Sequence, residues 1–185
     1  VEAYDPQLGA WALVASMSAK RWYQTSVVLD GKIYTMGGVD NGGTALDTVE
    51  VYDPQANSWQ RVASMPQGRA RHAAAAMGGK IYVTGGTGSI RVGAWSKGRS
   101  IRGSSRNSAV FVYDPQADAW TQLASMGTAR QWHASAAAGG KLYVFGGRDD
   151  AEVRLSTAEI YDPASGSWAQ GPSLTAREAA VAVAL

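Results

Sequence analysis

Four short β-strands are predicted by HASAAAGGKLYVFGG, residues 133–147, and STAEIYDPASGSWAQGPSL, residues 156–174. The first two strands are joined by a Gly-Gly pair, which readily supplies the positive φ angles of a two-residue hairpin turn. The last two are joined by Tyr-Asp-Pro, in which proline fixes φ and the aspartate can accept a hydrogen bond from backbone two residues on. This stretch therefore predicts a four-stranded antiparallel sheet made of two hairpins.

The same landmarks recur along the chain. Tyr-Asp-Pro begins at four tyrosines, and a tryptophan follows each one after seven residues; the pairs are Tyr4/Trp11, Tyr52/Trp59, Tyr113/Trp120 and Tyr161/Trp168. The tyrosines are 48, 61 and 48 residues apart, so one unit has 48 residues and the middle unit carries 13 more. A four-stranded unit with a period of roughly 40–50 residues is typical of the blades of a β-propeller.

Further repeated positions support this all-β interpretation. Ala-rich first strands fit a crowded central axis, and second-strand tyrosines together with the tryptophans are predicted to pack between adjacent blades. The tyrosines are Tyr34, Tyr82 and Tyr143. Two positions before each tryptophan stands a residue type that tolerates a left-handed backbone. These residues are Gly9, Asn57, Asp118 and Gly166.

The repeat divides the chain into five parts. Residues 1–17 are expected to form the last two strands of a partial blade, and residues 175–185 the first strand of a further blade. Between them we expect three complete units at 18–65, 66–126 and 127–174, with the insertion of the middle unit lying within 87–109.

These residues resemble the Kelch-repeat family over nearly the whole chain. The Gly-Gly pairs, Tyr-Asp-Pro and the spaced tryptophan belong to the signature of that family, as does a Ser-Met-x-x-x-Arg junction between units. The junction appears as Met17…Arg21, Met65…Arg69 and Met126…Arg130, with a shortened form at Leu174…Arg177. Family members are propellers, commonly of six or seven blades, and most bind other proteins. The resemblance implies a Kelch-type β-propeller that belongs to a larger polypeptide or assembly, because three units are fewer than such a ring needs.

Topology predicts which end of the blades varies. Successive strands run in opposite directions, so the second-to-third-strand loops and the blade junctions share one face, and the tight turns share the other. Loops that vary on a rigid scaffold usually carry binding. The Trp and Tyr residues outside the repeated framework all fall at the varying end: Trp22, Tyr23, Trp95 and Trp132. The resemblance implies that a partner protein is contacted there by Trp22, Tyr23, Gln24, Arg71, His72, Gln131, Trp132 and His133.

The insertion of the middle unit is basic. Five cations and no acidic residue lie within 87–109, namely Arg91, Lys97, Arg99, Arg102 and Arg106. Arg and Trp are residues that interfaces favour, so Trp95, Arg99, Arg102 and Arg106 are predicted to contact an acidic surface of the partner. A solvated loop without a partner is the alternative, and nucleic acid is disfavoured because no wider basic face is evident.

Two readings of individual residues stay open. Trp22 and Trp132 could instead plug the channel mouth, and His72 and His133, which recur at one repeat position, favour a hydrogen bond to a backbone carbonyl over metal ligation. The junction arginines are expected to bond to backbone of adjacent blades.

Composition limits the other classes of function. The net charge is +2 and there is no cysteine, which excludes disulfides, thiolate metal sites and cysteine nucleophiles. No apolar run is long enough to cross a membrane and no leader is visible, so a cytoplasmic protein without metal or cofactor is expected. The alternative is the propeller of a copper radical oxidase-like or sialic acid epimerase-like enzyme. The oxidase, however, requires a cysteine-crosslinked tyrosine, and this chain has no cysteine.

Overall fold

The computed structural model describes residues 1–88 and 106–175, which form four antiparallel sheets. The strands are β1 (Glu2–Asp5), β2 (Ala10–Leu13), β3 (Thr25–Leu29), β4 (Lys32–Met36), β5 (Val49–Asp53), β6 (Ser58–Val62), β7 (Ala73–Met77), β8 (Lys80–Thr84), β9 (Val110–Asp114), β10 (Ala119–Leu123), β11 (Ala134–Ala138), β12 (Lys141–Phe145), β13 (Ala158–Asp162) and β14 (Ser167–Gln170). β1 and β2 form a two-stranded sheet, and the other three sheets are the first blade (β3–β6), the middle blade (β7–β10) and the last blade (β11–β14). The predicted all-β fold of four-stranded antiparallel blades is confirmed. The strand predicted within 175–185 lies outside the described residues except for Thr175.

The predicted turns form as their residues dictate. In the hairpin that joins β3 to β4, Asp30 and Gly31 have φ angles of 50° and 72°, and the Gly-Gly pairs of the other two blades are also positive at both positions. Between the third and fourth strands, Oδ1 of Asp53 accepts a hydrogen bond from the N–H of Gln55 at 2.9 Å. Asn57, four residues after Asp53, has φ of 47°. Both hairpins of each blade are therefore specified by local sequence.

Aromatic side chains join each blade to the one before or after it. The indole N–H of Trp59 donates to the carbonyl of Ala15 at 2.8 Å, and Trp120 and Trp168 repeat this bond to the preceding junction. Tyr34 of the first blade packs against Tyr113 of the middle blade, with ring centroids 6.1 Å apart. The same contact recurs between the next two blades with Tyr82 and Tyr161 at 6.4 Å. The predicted packing between blades is confirmed for Tyr34 and Tyr82, whereas Tyr143 stacks on Phe145 of its own strand β12, with ring centroids 6.1 Å apart.

The hydrophobic core lies between the faces of neighbouring sheets. Met36 and Val49 of the first blade are buried together with Ile81 and Val83 of the middle blade. Their burial removes apolar surface from water, which stabilises the fold by roughly 25 cal/mol for each Å² buried. The first strands β3, β7 and β11 lie side by side and are innermost.

The Gly-Gly pair that ends each second strand holds the next blade in place. The N–H of Gly38 donates to the carbonyl of Arg69 at 2.9 Å. A Cβ on Gly37 would lie 2.5 Å from that carbonyl oxygen and 2.6 Å from the ring of His72. Gly85 and Gly86 repeat this arrangement toward the last blade. Only glycine permits this approach, which brings the blade junctions to one end of the molecule.

Candidate interaction face

Blade junctions and second-to-third-strand loops meet at the same end of the blades. In the first blade Trp22, just before β3, forms an antiparallel bridge with Val39, which follows the Gly-Gly pair. The equivalent bridges are Ala70 with Thr87 and Gln131 with Arg148. We call this end, formed by the junctions and these loops, the variable face.

Three side chains from three successive blades come together at the centre of the variable face. The guanidinium carbon of Arg71 lies 4.9 Å from the ring centroid of Tyr23 and 5.0 Å from that of Trp132. The rings of Tyr23 and Trp132 contact each other edge to face, with centroids 5.1 Å apart and planes at 87°. We call Tyr23, Arg71 and Trp132 the mouth cluster. A cation over an aromatic face contributes about 0.5–1 kcal/mol where the site is exposed. The two rings together hold the guanidinium of Arg71 in one orientation.

The backbone that carries the mouth cluster is identical in the three blades. The N–H of Arg71 donates to the carbonyl of Tyr23 at 2.9 Å, and the N–H of Trp132 donates to the carbonyl of Arg71 at 3.0 Å. All three residues are in the left-handed region, with φ of 60°, 57° and 56°. That conformation disfavours any side chain by about 1–2 kcal/mol, and glycine would avoid the strain. The chain nevertheless places two aromatic rings and an arginine at these positions.

Arg71 keeps hydrogen-bonding capacity inside this cluster. Its Nη1 donates to Oε1 of Gln131 at 3.3 Å, while its Nε is buried without a partner. A guanidinium has five N–H donors in a planar fork that matches a carboxylate. The arrangement can therefore present an oriented cation to an acidic group beside two aromatic surfaces.

The residues next to the mouth cluster differ in exposure between blades. Trp22 is 50% exposed, whereas its repeat equivalents Ala70 and Gln131 are 0% and 2% exposed. Gln131 is covered by Arg71 of the preceding blade. The strands that precede Trp22 are β1 and β2, which pair only with each other among the described strands. Gln24 is also exposed.

The two histidines are buried at the seams between blades. The sequence predicted that both histidines contact a partner. They are only 6% and 5% exposed, so neither side chain is accessible for that contact. A ring nitrogen of His133 hydrogen-bonds to the hydroxyl of Thr84 in the middle blade at 2.8 Å, and the backbone of Thr84 also interacts with this ring, as that of Met36 does with His72. Burial lowers the pKa of His133 to about 3, helped by the charge of Arg130. Burial also lowers the pKa of His72 well below its ordinary value, with Arg69 contributing. Both rings are neutral and support the junction that carries the mouth cluster.

The junction arginines are structural, although they bond within the blade that they precede. Nη1 of Arg21 donates to the carbonyls of Gly37 and Thr48, and its Nη2 pairs with Glu50. Arg130 makes the same set of bonds in the last blade, with Glu159 as its ion-pair partner. A bond from the arginine to its own blade fixes where the following residues of the junction emerge.

The middle blade lacks this ion pair. Phe111 occupies the repeat position of the two glutamates, and the guanidinium carbon of Arg69 lies 4.7 Å from its ring centroid. In the first blade Glu50 also accepts a hydrogen bond from the N–H of Ser18, but the equivalent residue is Pro66, which has no N–H. Burial without a counter-ion lowers the pKa of Arg69 to about 10. The blade that carries the insertion therefore lacks both the glutamate acceptor, replaced by Phe111, and the junction N–H donor, replaced by Pro66.

The described end of the basic insertion is bound to the last blade. The N–H of Arg106 donates to Oδ1 of Asp150 at 2.7 Å, and Nη2 of Arg106 forms an ion pair with Glu152. Its side chain is 11% exposed. The sequence analysis did not predict this contact, although the acidic run at 149–152 was visible. Trp95, Arg99 and Arg102 lie outside the described residues, as do Arg91 and Lys97.

Two other kinds of feature are absent from the described part of the chain. Residues 1–88 and 106–175 contain no group of three His, Cys, Asp or Glu side chains that could hold a metal ion. No helix with the length and apolar character needed to cross a bilayer occurs in the same residues.

Comparison with known proteins gives consistent matches over this architecture. A family model described as the KLHDC2/KLHL20/DRC7 Kelch-repeats domain matches residues 4–184. Human Kelch-like protein 34 is 30% identical over 168 residues, which are 91% of this chain and 24% of that protein. Kelch repeat and BTB domain-containing protein 1 of ectromelia virus is 31% identical over 168 residues, 91% of this chain and 27% of that protein. This chain therefore spans about a quarter of the length of these two relatives.

A solved structure shares the fold. YjhT matches with a TM-score of 0.75 and 21% sequence identity, over 91% of this chain and 57% of the YjhT chain.

Proposed function

The chain belongs to the Kelch-repeat family, and from this premise we propose that it is a non-catalytic platform that binds a partner protein through the variable face. The mouth cluster forms the centre of the binding surface, with Trp22 and Gln24 beside it. The basic insertion contacts an acidic surface of the partner. The platform acts as part of a larger polypeptide, and its units are divided at residues 17/18, 65/66 and 126/127.

The single observation that carries this proposal is the strained backbone of the mouth cluster. In the hairpins between the first and second strands, five of the six positions with positive φ are glycine and the sixth is Asp30, while Asn57 and Asp118 take this conformation in two of the other hairpins. At the three mouth positions, by contrast, no blade uses glycine although φ is between 56° and 60°. Folding alone would favour glycine there, so the side chains themselves are required. A buried or half-buried Arg flanked by Tyr and Trp is also the composition of interface hot spots.

A second observation supports an acidic partner. Arg71 is half-buried, and its charge is held between two rings. A carboxylate from a partner would form a charge-assisted hydrogen bond with the part of this guanidinium that stays accessible. The contact would be charge-assisted, and the resulting association would weaken as salt concentration rises.

The experiment removes the aromatic side chains without straining the fold. Tyr23→Gly and Trp132→Gly relieve the left-handed strain at φ of 60° and 56°, so lost binding cannot be attributed to backbone conflict. The native polypeptide and its variants are used to capture proteins from an extract of the source cells, and captured proteins are quantified by mass spectrometry. We expect at least one specifically captured protein to be lost with both variants.

The chain offers a matched control on the opposite face. Asp30→Gly makes the same type of change at φ of 50° in the hairpin between β3 and β4, where the other two blades already have glycine. Capture should be unaffected by this control. If the mouth variants retain every protein that the unaltered polypeptide captures, the variable face is not the binding surface.

A cytoplasmic location stays a prediction.

A further inference from the structure

We propose that Asp150 and Glu152 of the last blade are an internal competitor for Arg106, so that an acidic partner must displace them to reach this arginine. We call the ion-paired group of Arg106, Asp150 and Glu152 the clasp. The proposal rests on the proposed function, because it assumes that acidic groups bind the basic part of the variable face.

The first support is the equivalence of two loops. In the first blade, Oδ1 of Asp40 accepts hydrogen bonds from the N–H groups of Gly42 and Thr44 at 2.8 and 2.9 Å. In the last blade, Oδ1 of Asp149 accepts from the residues at the same two positions, both at 2.9 Å. The two loops therefore adopt the same turn, and their residues can be compared one by one.

The second support is the set of residues that differ between these loops. The left-handed position is Gly43 in the first blade, with φ of 80°, and Glu152 in the last blade, with φ of 63°. Two residues earlier in the turn, Asn41 is replaced by Asp150. Both replacements introduce a carboxylate, and the one at Glu152 does so where glycine is the unstrained choice. Both carboxylates contact Arg106.

The third support is the geometry around Arg106. Its backbone N–H bonds to Asp150 and its guanidinium pairs with Glu152, so the residue is fixed at both ends. Glu152 is also 3.5 Å from Nη1 of Arg148. The side chains of Asp150 and Glu152 remain 59% and 41% exposed. The clasp therefore joins a mostly buried guanidinium to carboxylates that water reaches, so another acidic group gains access to Arg106 only when these carboxylates move away.

The test converts the loop of the last blade into that of the first blade. The clasp variant is Asp150→Asn with Glu152→Gly, which leaves the turn-forming Asp149 unchanged and relieves the strain at Glu152. Binding of a fluorescein-labelled octaglutamate peptide is measured for the unaltered chain and for this variant by fluorescence anisotropy. Removing the competitor should raise affinity by about two- to tenfold at low salt. The gain should disappear when Arg106→Gln is added.

A second readout reports on the clasp without any ligand. Trypsin cleavage after Arg106 requires a released side chain, so the fragment that begins at Asn107 should form faster from the clasp variant. Equal cleavage rates would show that the ion pairs do not restrain Arg106 and would overturn the proposal. Unchanged or weaker peptide binding by the clasp variant, or no binding by either protein, would overturn it as well. The proposed function fails separately, when the mouth variants capture the same proteins as the unaltered polypeptide.

Discussion

Mild acid should destabilise this protein through its two histidines. His72 and His133 are the only histidines of the chain, and both are buried as neutral rings at the seams between blades. The unfolded chain accepts protons on both imidazoles near pH 6.5, whereas the folded chain does not. The unfolded state therefore binds more protons below that pH. Stability is fully present above pH 6.5 and is lost as the pH falls toward the folded-state pKa values.

The size of the effect follows from the pKa of His133, which burial lowers from 6.5 to about 3. Between pH 7.5 and 5.0, linkage predicts a loss of about 2 kcal/mol in the free energy of unfolding from this residue alone. His72 shifts in the same direction and adds to the loss. The pKa of Asp114 is lowered from 3.8 by its hydrogen bond with Lys80, so the contribution of this carboxylate is lost only at lower pH.

Urea unfolding at pH 7.5 and 5.0 measures the effect. With a slope of about 2 kcal/mol per molar, a loss of about 2 kcal/mol lowers the urea midpoint by roughly 1 M. The matched variant is His72→Gln with His133→Gln, because Gln24 already occupies this repeat position in the first blade. The variant should show almost no change of midpoint between the two pH values. If the variant and the unaltered chain lose the same stability on acidification, buried histidine is not the cause.

Two further predictions concern the seams, both measured as urea unfolding free energies. Phe111→Glu alone should destabilise the chain by about 1–3 kcal/mol, because Pro66 leaves one carboxylate oxygen without its N–H donor. Adding Pro66→Ser supplies that donor and should recover about 1–2 kcal/mol. If the effects of the two substitutions add within about 0.5 kcal/mol, they are not coupled and this explanation is wrong. Gly37→Ala should lower stability by more than about 2 kcal/mol, because its Cβ would lie 2.5 Å from the carbonyl oxygen of Arg69. Gly78→Ala, which has φ of 59° and open space around the new Cβ, should lower stability by only about 1 kcal/mol, and equal losses would show that backbone conformation rather than blade contact requires Gly37.

The sequence predicted the blades because their signals are local. Asp53 bonds to Gln55 two residues on, and the Gly-Gly hairpins need only their own φ angles. Alternating strand direction was then enough to predict that Trp22 and the loop at Val39 share one end of a blade. The local pattern could not predict that Arg71 lies between Tyr23 and Trp132. That contact joins three blades, and the rotation between blades depends on seam packing such as Gly37 against Arg69.

Other features could have been found by comparing the units position by position. Phe111 stands where the other blades have glutamate, and Glu152 stands where the first blade has Gly43. Both differences are visible in the sequence. Their meaning is not, because it depends on the partner side chain, Arg69 in one case and Arg106 in the other. The partners are 42 and 46 residues away in the chain, beyond any periodic pattern.

Repeated units allow the demands of folding to be separated from other demands. The same backbone conformation occurs in each blade, so glycine is favoured equally in all of them at a position with positive φ. Where the residue is glycine, as at Gly78 and Gly139, folding accounts for it. Where the residue is Tyr23 or Trp132, at φ near 60°, the backbone conformation is strained in a way that glycine would avoid. These side chains are therefore expected to make a contact outside their own blade. At the opposite face, Asn57 and Asp118 also have positive φ, but each accepts a hydrogen bond from a tyrosine hydroxyl of its own blade, whereas Tyr23, Arg71 and Trp132 contact one another across three blades, as expected if they form one binding surface.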